Sequence, residues 1–297
     1  MSNRLSVKLS NLAIRIQSKY QRTLAANCFR RPIRMRNTVP LISFTFDDFP
    51  RSALTVAGEI LNRYGVAGTY YASLGLMGKH ASAGKIFEEQ DLALLLKQGH
   101  ELGCHTFDHF NAWETKPQIF EDSVAQNRRA LQQILPEARF RSLSYPKLPP
   151  RPLTKRRVGR QFTCCRCGGQ KLNSEIVDSN HLWGFFLEKS RDNLDAVKEL
   201  IERNRKLRGW LIFATHDVCE EPSPYGCTPG FFEEVVRYSV SSGAQVLPVV
   251  KAWESLSHNG SRLVHEEGRK RSLASTSGTQ SADKPGFKGD FGTQGKS

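Results

Sequence analysis

Three short strings in the 297-residue sequence carry side chains whose types and spacing suit chemistry: Thr45-Phe46-Asp47-Asp48, His105-Thr106-Phe107-Asp108-His109 and Ala214-Thr215-His216-Asp217. Adjacent carboxylates behind an apolar run are costly unless they bind a metal, pair with cations or react. A turn in which one Asp caps the next helix would also explain them. Histidines four residues apart share a face if the chain enters a helical turn, which suits two imidazoles on one cation. A lone pair of this kind also arises incidentally. With Asp48 as a third ligand, His105 and His109 make a three-ligand set with an open fourth position, the arrangement of a hydrolytic zinc site. Asp47, pointing the other way along the backbone, is then free to act as a base. His216 ends a very apolar stretch, where an imidazole can protonate a leaving group or simply be a core histidine satisfied by backbone.

The elements that must position these groups alternate. Val39 to Phe46, Thr69 to Tyr71, Glu101 to His105, 140–146, 161–167, 182–187, Trp210 to Thr215 and Gln245 to Val249 read as strands. Helical spacing covers 52–64, 88–98, 117–135, 191–206 and 230–241, with a closing helix at the end. Such alternation implies a mostly parallel sheet with helices outside, either a barrel or an open sheet. In both, chemistry sits at the carboxyl ends of strands, where all three strings fall.

Composition bounds the rest. Hydrophobic residues make up 39% and charged residues 24%, and the formal net charge is +14. Residues 1–40 contribute nine Lys/Arg and no acid, while 41–257 hold 27 basic and 25 acidic groups. The charge belongs mostly to the ends, so a specific nucleic-acid binder is not expected. Over 4–22, Leu5, Leu9, Leu12 and Ile16 form one helical stripe beside Arg4, Lys8, Arg15, Lys19 and Arg22. This basic leader, 1–38, suits an anionic membrane surface, resembles a transit peptide in composition, or packs on the domain with a solvated basic face. Residues 39–257 then form the catalytic domain and 258–297 a disordered polar tail. No secretory signal is seen and the seven cysteines are odd in number, which points to reduced thiols and to a cytoplasmic protein or one peripheral on the inner membrane face. The ten Lys/Arg of 139–171 read as a solvated loop or as a site for an anionic ligand.

In order and content the strings resemble the polysaccharide deacetylase family, the NodB-homology domain of carbohydrate esterase family 4, over about 39–250. The resemblance implies a distorted, incomplete (β/α) barrel and a hydrolase removing N-acetyl groups from amino-sugar glycans. It implies Asp47 as base, Asp48, His105 and His109 on a divalent metal, most commonly zinc, and His216 as acid. Leu143-Ser144-Tyr145-Pro146-Lys147 falls at the groove turn, making Tyr145, Pro146 and Lys147 candidates for the oxyanion side of the groove. Asp178, ahead of Trp183, and Asp217 are candidates to support His216. The chain departs from the pattern at Ser144, where the groove arginine that orients the base is expected, and at Leu148 in place of a glycine; Arg141 lies nearby. An ester deacetylase or a deformylase/amidohydrolase on a small or lipid-linked substrate is the rival within this chemistry. A catalytically silent glycan-binding or membrane-associated protein is the rival outside it.

Overall fold

A computed structural model describes residues 2–191 and 193–256, with side chains from Arg15 onward. The tail expected over 258–297 and the side chains of Leu5, Leu9 and Leu12 lie outside the described residues. In chain order, helix α1 (Ser2–Asn27) and strand β1 (Pro32–Arg34) precede β2 (Leu41–Phe46). A π-helical turn, Ala53–Gly58, then runs into α2 (Glu59–Arg63), followed by β3 (Thr69–Ala72) and a two-strand hairpin of β4 (His80–Ala81) and β5 (Gly84–Lys85). Next come α3 (Glu89–Lys97), β6 (Glu101–Cys104), α4 (Pro117–Ile134), β7 (Ser142–Ser144), α5 (Pro152–Gly159) and β8 (Cys164–Gly168). The chain continues through β9 (Ile176–Asp178), β10 (Leu182–Phe186), α6 (Leu194–Leu207), β11 (Trp210–Thr215), α7 (Pro229–Ser241) and β12 (Gln245–Val246), and closes with a helical stretch over 249–256.

Seven parallel strands form a ring in the order β2, β3, β6, β7, β8, β10, β11, and β11 pairs back onto β2 along its whole length, Trp210↔Leu41 to Thr215↔Phe46. The (β/α) barrel expected from the alternation is therefore present, with seven ring strands. The short β12 pairs only with the first residues of β2. Strands in such a ring are covered on both faces, which is why β2 and β11 read as unbroken apolar runs rather than alternating ones. Phe44 and Phe46 turn outward against Phe232 of α7. The alternate residues Leu41 and Ser43 face inward with Trp210 and Ile212, and the Trp210 indole N–H donates to Ser43 Oγ at 3.0 Å.

Two expectations need correction. The basic run 139–171 is not a solvated loop. It contains α5, begun by a proline at its first position, and β8, and two of its cations are fully buried. Lys155 donates to Asp178 Oδ2 and to the Ala25 carbonyl, both at 2.6 Å. That contact also fixes the leader: α1 ends against α5, β1 pairs antiparallel with β9, and the described residues make up one unit. Secondly, Ile16 of the expected apolar stripe is 62% exposed, whereas Gln21 and Ala25 are buried. In the described part of α1 the face that meets the barrel is thus the one opposite Ile16.

At the opposite end of the ring from the three strings, Glu101 opens β6 with its carboxylate accepting from Ser142 Oγ at 2.5 Å and from the Val250 N–H at 2.8 Å. Burial pushes its pKa up to about 7 from 4.5. A carboxyl raised in the folded state binds more protons folded than unfolded between those values, so stability declines as pH rises through that window. Glu101→Gln removes this dependence. Its melting temperature should fall less than wild type's between about pH 5 and pH 8, and an equal fall in both proteins would discount Glu101.

Candidate active site

Strand β2 delivers Asp47 and Asp48 to the carboxyl end of the ring, where the Asp47 N–H donates to the Thr215 carbonyl at 2.9 Å. The backbone turns sharply at each contributing strand end. Asp48, Phe49, Thr106, His109 and Lys147 all have φ between +52 and +62, left-handed conformations that cost L-residues roughly 1–2 kcal/mol each. Non-glycine residues held this way at one end of a barrel fit a site whose side-chain directions are over-determined by the fold.

Asp48 Oδ1 lies 2.9 Å from His109 Nε2 and 3.4 Å from His105 Nε2. His105 Nδ1 sits 2.8 Å from the Ser144 carbonyl, which can only accept, so Nδ1 carries the proton and Nε2 presents a lone pair. Asp48 Oδ1 is buried without a hydrogen-bond partner. The ligand atoms of Asp48, His105 and His109 all fall within 4.8 Å of one another, and no other group of three or more His, Cys, Asp and Glu residues could hold an ion among the described residues. Acceptors converging on a point with no donor between them fit a divalent cation.

Asp47 is held by a group that the sequence reading missed. Arg166 of β8, 1% exposed, ion-pairs with Asp47 Oδ1 and donates to Ser144 Oγ at 2.8 Å. Ser144 and Arg166 are register partners on adjacent strands. The guanidinium absent from position 144 is thus supplied one strand over, and Ser144 accepts a hydrogen bond from it. Arg141, the nearer candidate in sequence, pairs instead with Glu254 at 2.6 Å. Arg166 is sandwiched between the Tyr71 and Phe186 rings at 5.2 and 5.5 Å. Burial raises the Asp47 pKa, yet Arg166 first, then His105 and His216, lower it further, so Asp47 is ionised at neutral pH.

His216 follows β11, directly beside Asp47, with Nδ1 3.3 Å from the Tyr225 carbonyl and its ring parallel to Phe186 at 6.3 Å. Of its two expected supports, neither carboxylate bonds the imidazole. Asp217 accepts from Ser223 N–H and Oγ at 2.7 and 2.5 Å and so braces the 217–226 turn that carries the Tyr225 carbonyl. Gly226 is required there, because a Cβ would lie 2.4 Å from the Asp217 carbonyl oxygen. Asp178 is engaged by Lys155, the Arg31 N–H and the Asn180 N–H, away from the cavity. The acid that does follow β10 into the cavity is Glu188, whose Oε2 is buried without a partner and whose pKa burial raises to about 7.

A cavity of 560 Å³ brings Asp47, Asp48, His105, His109 and His216 together with Tyr145 and Lys147, within the ~300–1,000 Å³ of small-molecule sites. Pro146 stays out of the lining, and its carbonyl accepts from the Ala112 and Leu148 N–H groups. The Lys147 N–H has no hydrogen-bond partner among the described residues. Ser18 and Arg22 of α1 form one wall. Tyr225 lines the mouth, but Trp113 packs edge-on against Tyr20.

A family model described as Polysaccharide deacetylase matches residues 35–158, a span that includes the carboxylate pair, both histidines and the Tyr145 turn. Over that span the chain is similar to the polysaccharide deacetylase family. Its fold is similar to that of a peptidoglycan deacetylase from Bacillus subtilis (15% identity over 77% of this chain and 98% of that one, TM-score 0.51). It is similar too to a chitin deacetylase from Colletotrichum lindemuthianum (16%, 74% and 89%, 0.52) and to a CE4 family pseudoenzyme from Bacillus anthracis (12%, 73% and 66%, 0.52). No curated protein matches the sequence. No described helix is long and apolar enough to cross a membrane.

Proposed function

We propose that this protein is a polysaccharide deacetylase that removes N-acetyl groups from amino-sugar glycans. The observation that carries the reading is the pairing of two differently served carboxylates. Asp48 converges with two imidazoles, while Asp47 is kept ionised beside it by a buried arginine. A divalent cation, with zinc the best fit to two imidazoles and one carboxylate, would polarise the acyl carbonyl and acidify a water. Asp47, as the free base, takes a proton from the attacking water. The Lys147 N–H is the backbone donor placed to stabilise negative charge developing on the acyl oxygen. His216, oriented through Nδ1 by the Tyr225 carbonyl, delivers a proton from Nε2 to the departing amine. A silent glycan binder would need neither the ionised Asp47 nor its arginine.

Metal analysis of the purified protein, followed by acetate release from chitooligosaccharides and peptidoglycan fragments, tests this directly. The expected result is about one divalent metal per chain and stoichiometric acetate, with Asp47→Asn retaining metal and losing turnover. Metal without acetate from any N-acetyl glycan would defeat the glycan reading. A chain that binds no metal would defeat the mechanism.

A further inference from the structure

The rim of the cavity carries a second pattern that the acyl chemistry does not use. Arg22 of α1, Lys147 of the turn after β7 and Lys189 beyond β10 all line it, arriving from three separate parts of the chain. None has a carboxylate within 4.0 Å among the described residues. Some exposed cations elsewhere are paired, as Arg63 with Glu233 and Arg237 with Glu234, and others are not; what sets these three apart is that they line one cavity. The acids inside the cavity do not neutralise the three. Asp47 is taken by Arg166 and Asp48 belongs to the three-ligand set that would hold a cation, which leaves Glu188, and its carboxyl is partly protonated at neutral pH. Like charges gathered at a concave mouth repel one another and focus a positive potential into it. They are expected where a ligand supplies the counter-charge. Arg22 is held for such a role: its Nε and Nη2 donate to the carbonyl and hydroxyl of Ser18 at 3.1 and 2.6 Å, which pins the guanidinium on the helix with Nη1 uncommitted.

We propose that the substrate of this site carries an anionic group, a carboxylate or a phosphate monoester, which Arg22, Lys147 and Lys189 bind at the rim while the acyl group lies over Asp47 and Asp48. This inference rests on the deacylase reading and narrows its substrate class. Charge-assisted hydrogen bonds from guanidinium and ammonium groups to such oxygens are short and stronger than neutral ones. A neutral chitooligosaccharide would leave the three cations with water alone.

Two measurements test it. Binding of N-acetylglucosamine, N-acetylmuramic acid and N-acetylglucosamine 6-phosphate to the metal-free protein is followed by calorimetry at low and high ionic strength. Acetate release from the same acidic and neutral units is then compared as kcat/KM with metal bound. The acidic ligands should be favoured by about tenfold or more, the discrimination of one charge-assisted hydrogen bond, and the preference should shrink with added salt. Whichever acidic ligand is favoured identifies the carboxylate or the phosphate as the natural group. Arg22→Gln combined with Lys189→Gln, both exposed positions, should lower the acidic-to-neutral ratio mainly through KM. A ratio unchanged in that variant, or a wild-type protein that binds neutral and acidic ligands alike while still releasing acetate, would overturn the anion preference alone. Preferential, salt-sensitive binding of the acidic ligands with no acetate from any of them would uphold the anion site and sink the deacetylase reading.

Discussion

Arg166→Met should lower turnover by about 10²-fold or more and move the acid limb of kcat/KM to higher pH, with metal content unchanged. Arg166 is the largest of the influences that lower the Asp47 pKa, and without it burial alone drives that carboxyl toward its protonated, non-basic form. The sign follows from which state is favoured. A carboxylate held below its ordinary value is ionised at every pH above that value, whereas one raised by burial must lose a proton near neutrality before it can act. The same variant leaves a buried carboxylate unpaired, a loss of about 3–5 kcal/mol in stability. Arg166→Lys keeps the charge but not the fork that serves Asp47 and Ser144 together, so it should recover part of the rate and most of the pH profile. An acid limb that stays in place in Arg166→Met would show that something else fixes Asp47.

Asp48→Ala should abolish metal binding and, with it, detectable turnover. The loss should reach at least ~10³-fold, the rate equivalent of several kcal/mol of charge stabilisation. A readout independent of activity is available. Zinc at about a thousand times its Kd stabilises a protein that binds it only when folded by ~4 kcal/mol, so the wild-type melting temperature should rise on zinc addition and that of Asp48→Ala should not. His105→Ala should behave alike, since its Nε2 is one of the three converging acceptors. A zinc-dependent rise that persists in both variants would place the metal elsewhere.

The strand ends were legible because they obey local rules. An apolar run covered on both faces names the strand, and a charged pair behind it names its end, so Asp47-Asp48, His105, His109 and His216 could be found and placed together. Arg166 was not legible, although it lies in the conspicuously basic stretch 139–171. Its role depends on the register Ser144↔Arg166 between two strands whose own residues carry no signal of it. Composition reported ten cations without acids in 139–171 but not that Lys155 and Arg166 find their acids at 178 and 47, far off in sequence. The helix Pro152–Gly159 has one usable mark, a proline at its first turn, and charged residues where an amphipathic helix would show an apolar stripe. Asp178 was misplaced for the converse reason. It stands near a tryptophan in the chain, while the side chain that enters the cavity after β10 is Glu188.

The pairing of β11 with β2 also bears on the order in which this protein can become competent. Asp47 and His216 are neighbours only across that seam, and they are separated by most of the ring in sequence. Contacts of such long separation form late, because the entropy of closing the intervening chain is lost before they contribute. The aspartates and both histidines leave the ribosome early, yet the base meets its acid only when the last ring strand has docked. A nascent or truncated chain ending before Trp210 could therefore gather Asp48, His105 and His109 and still be inert, so catalytic competence is withheld until synthesis of the barrel is nearly finished.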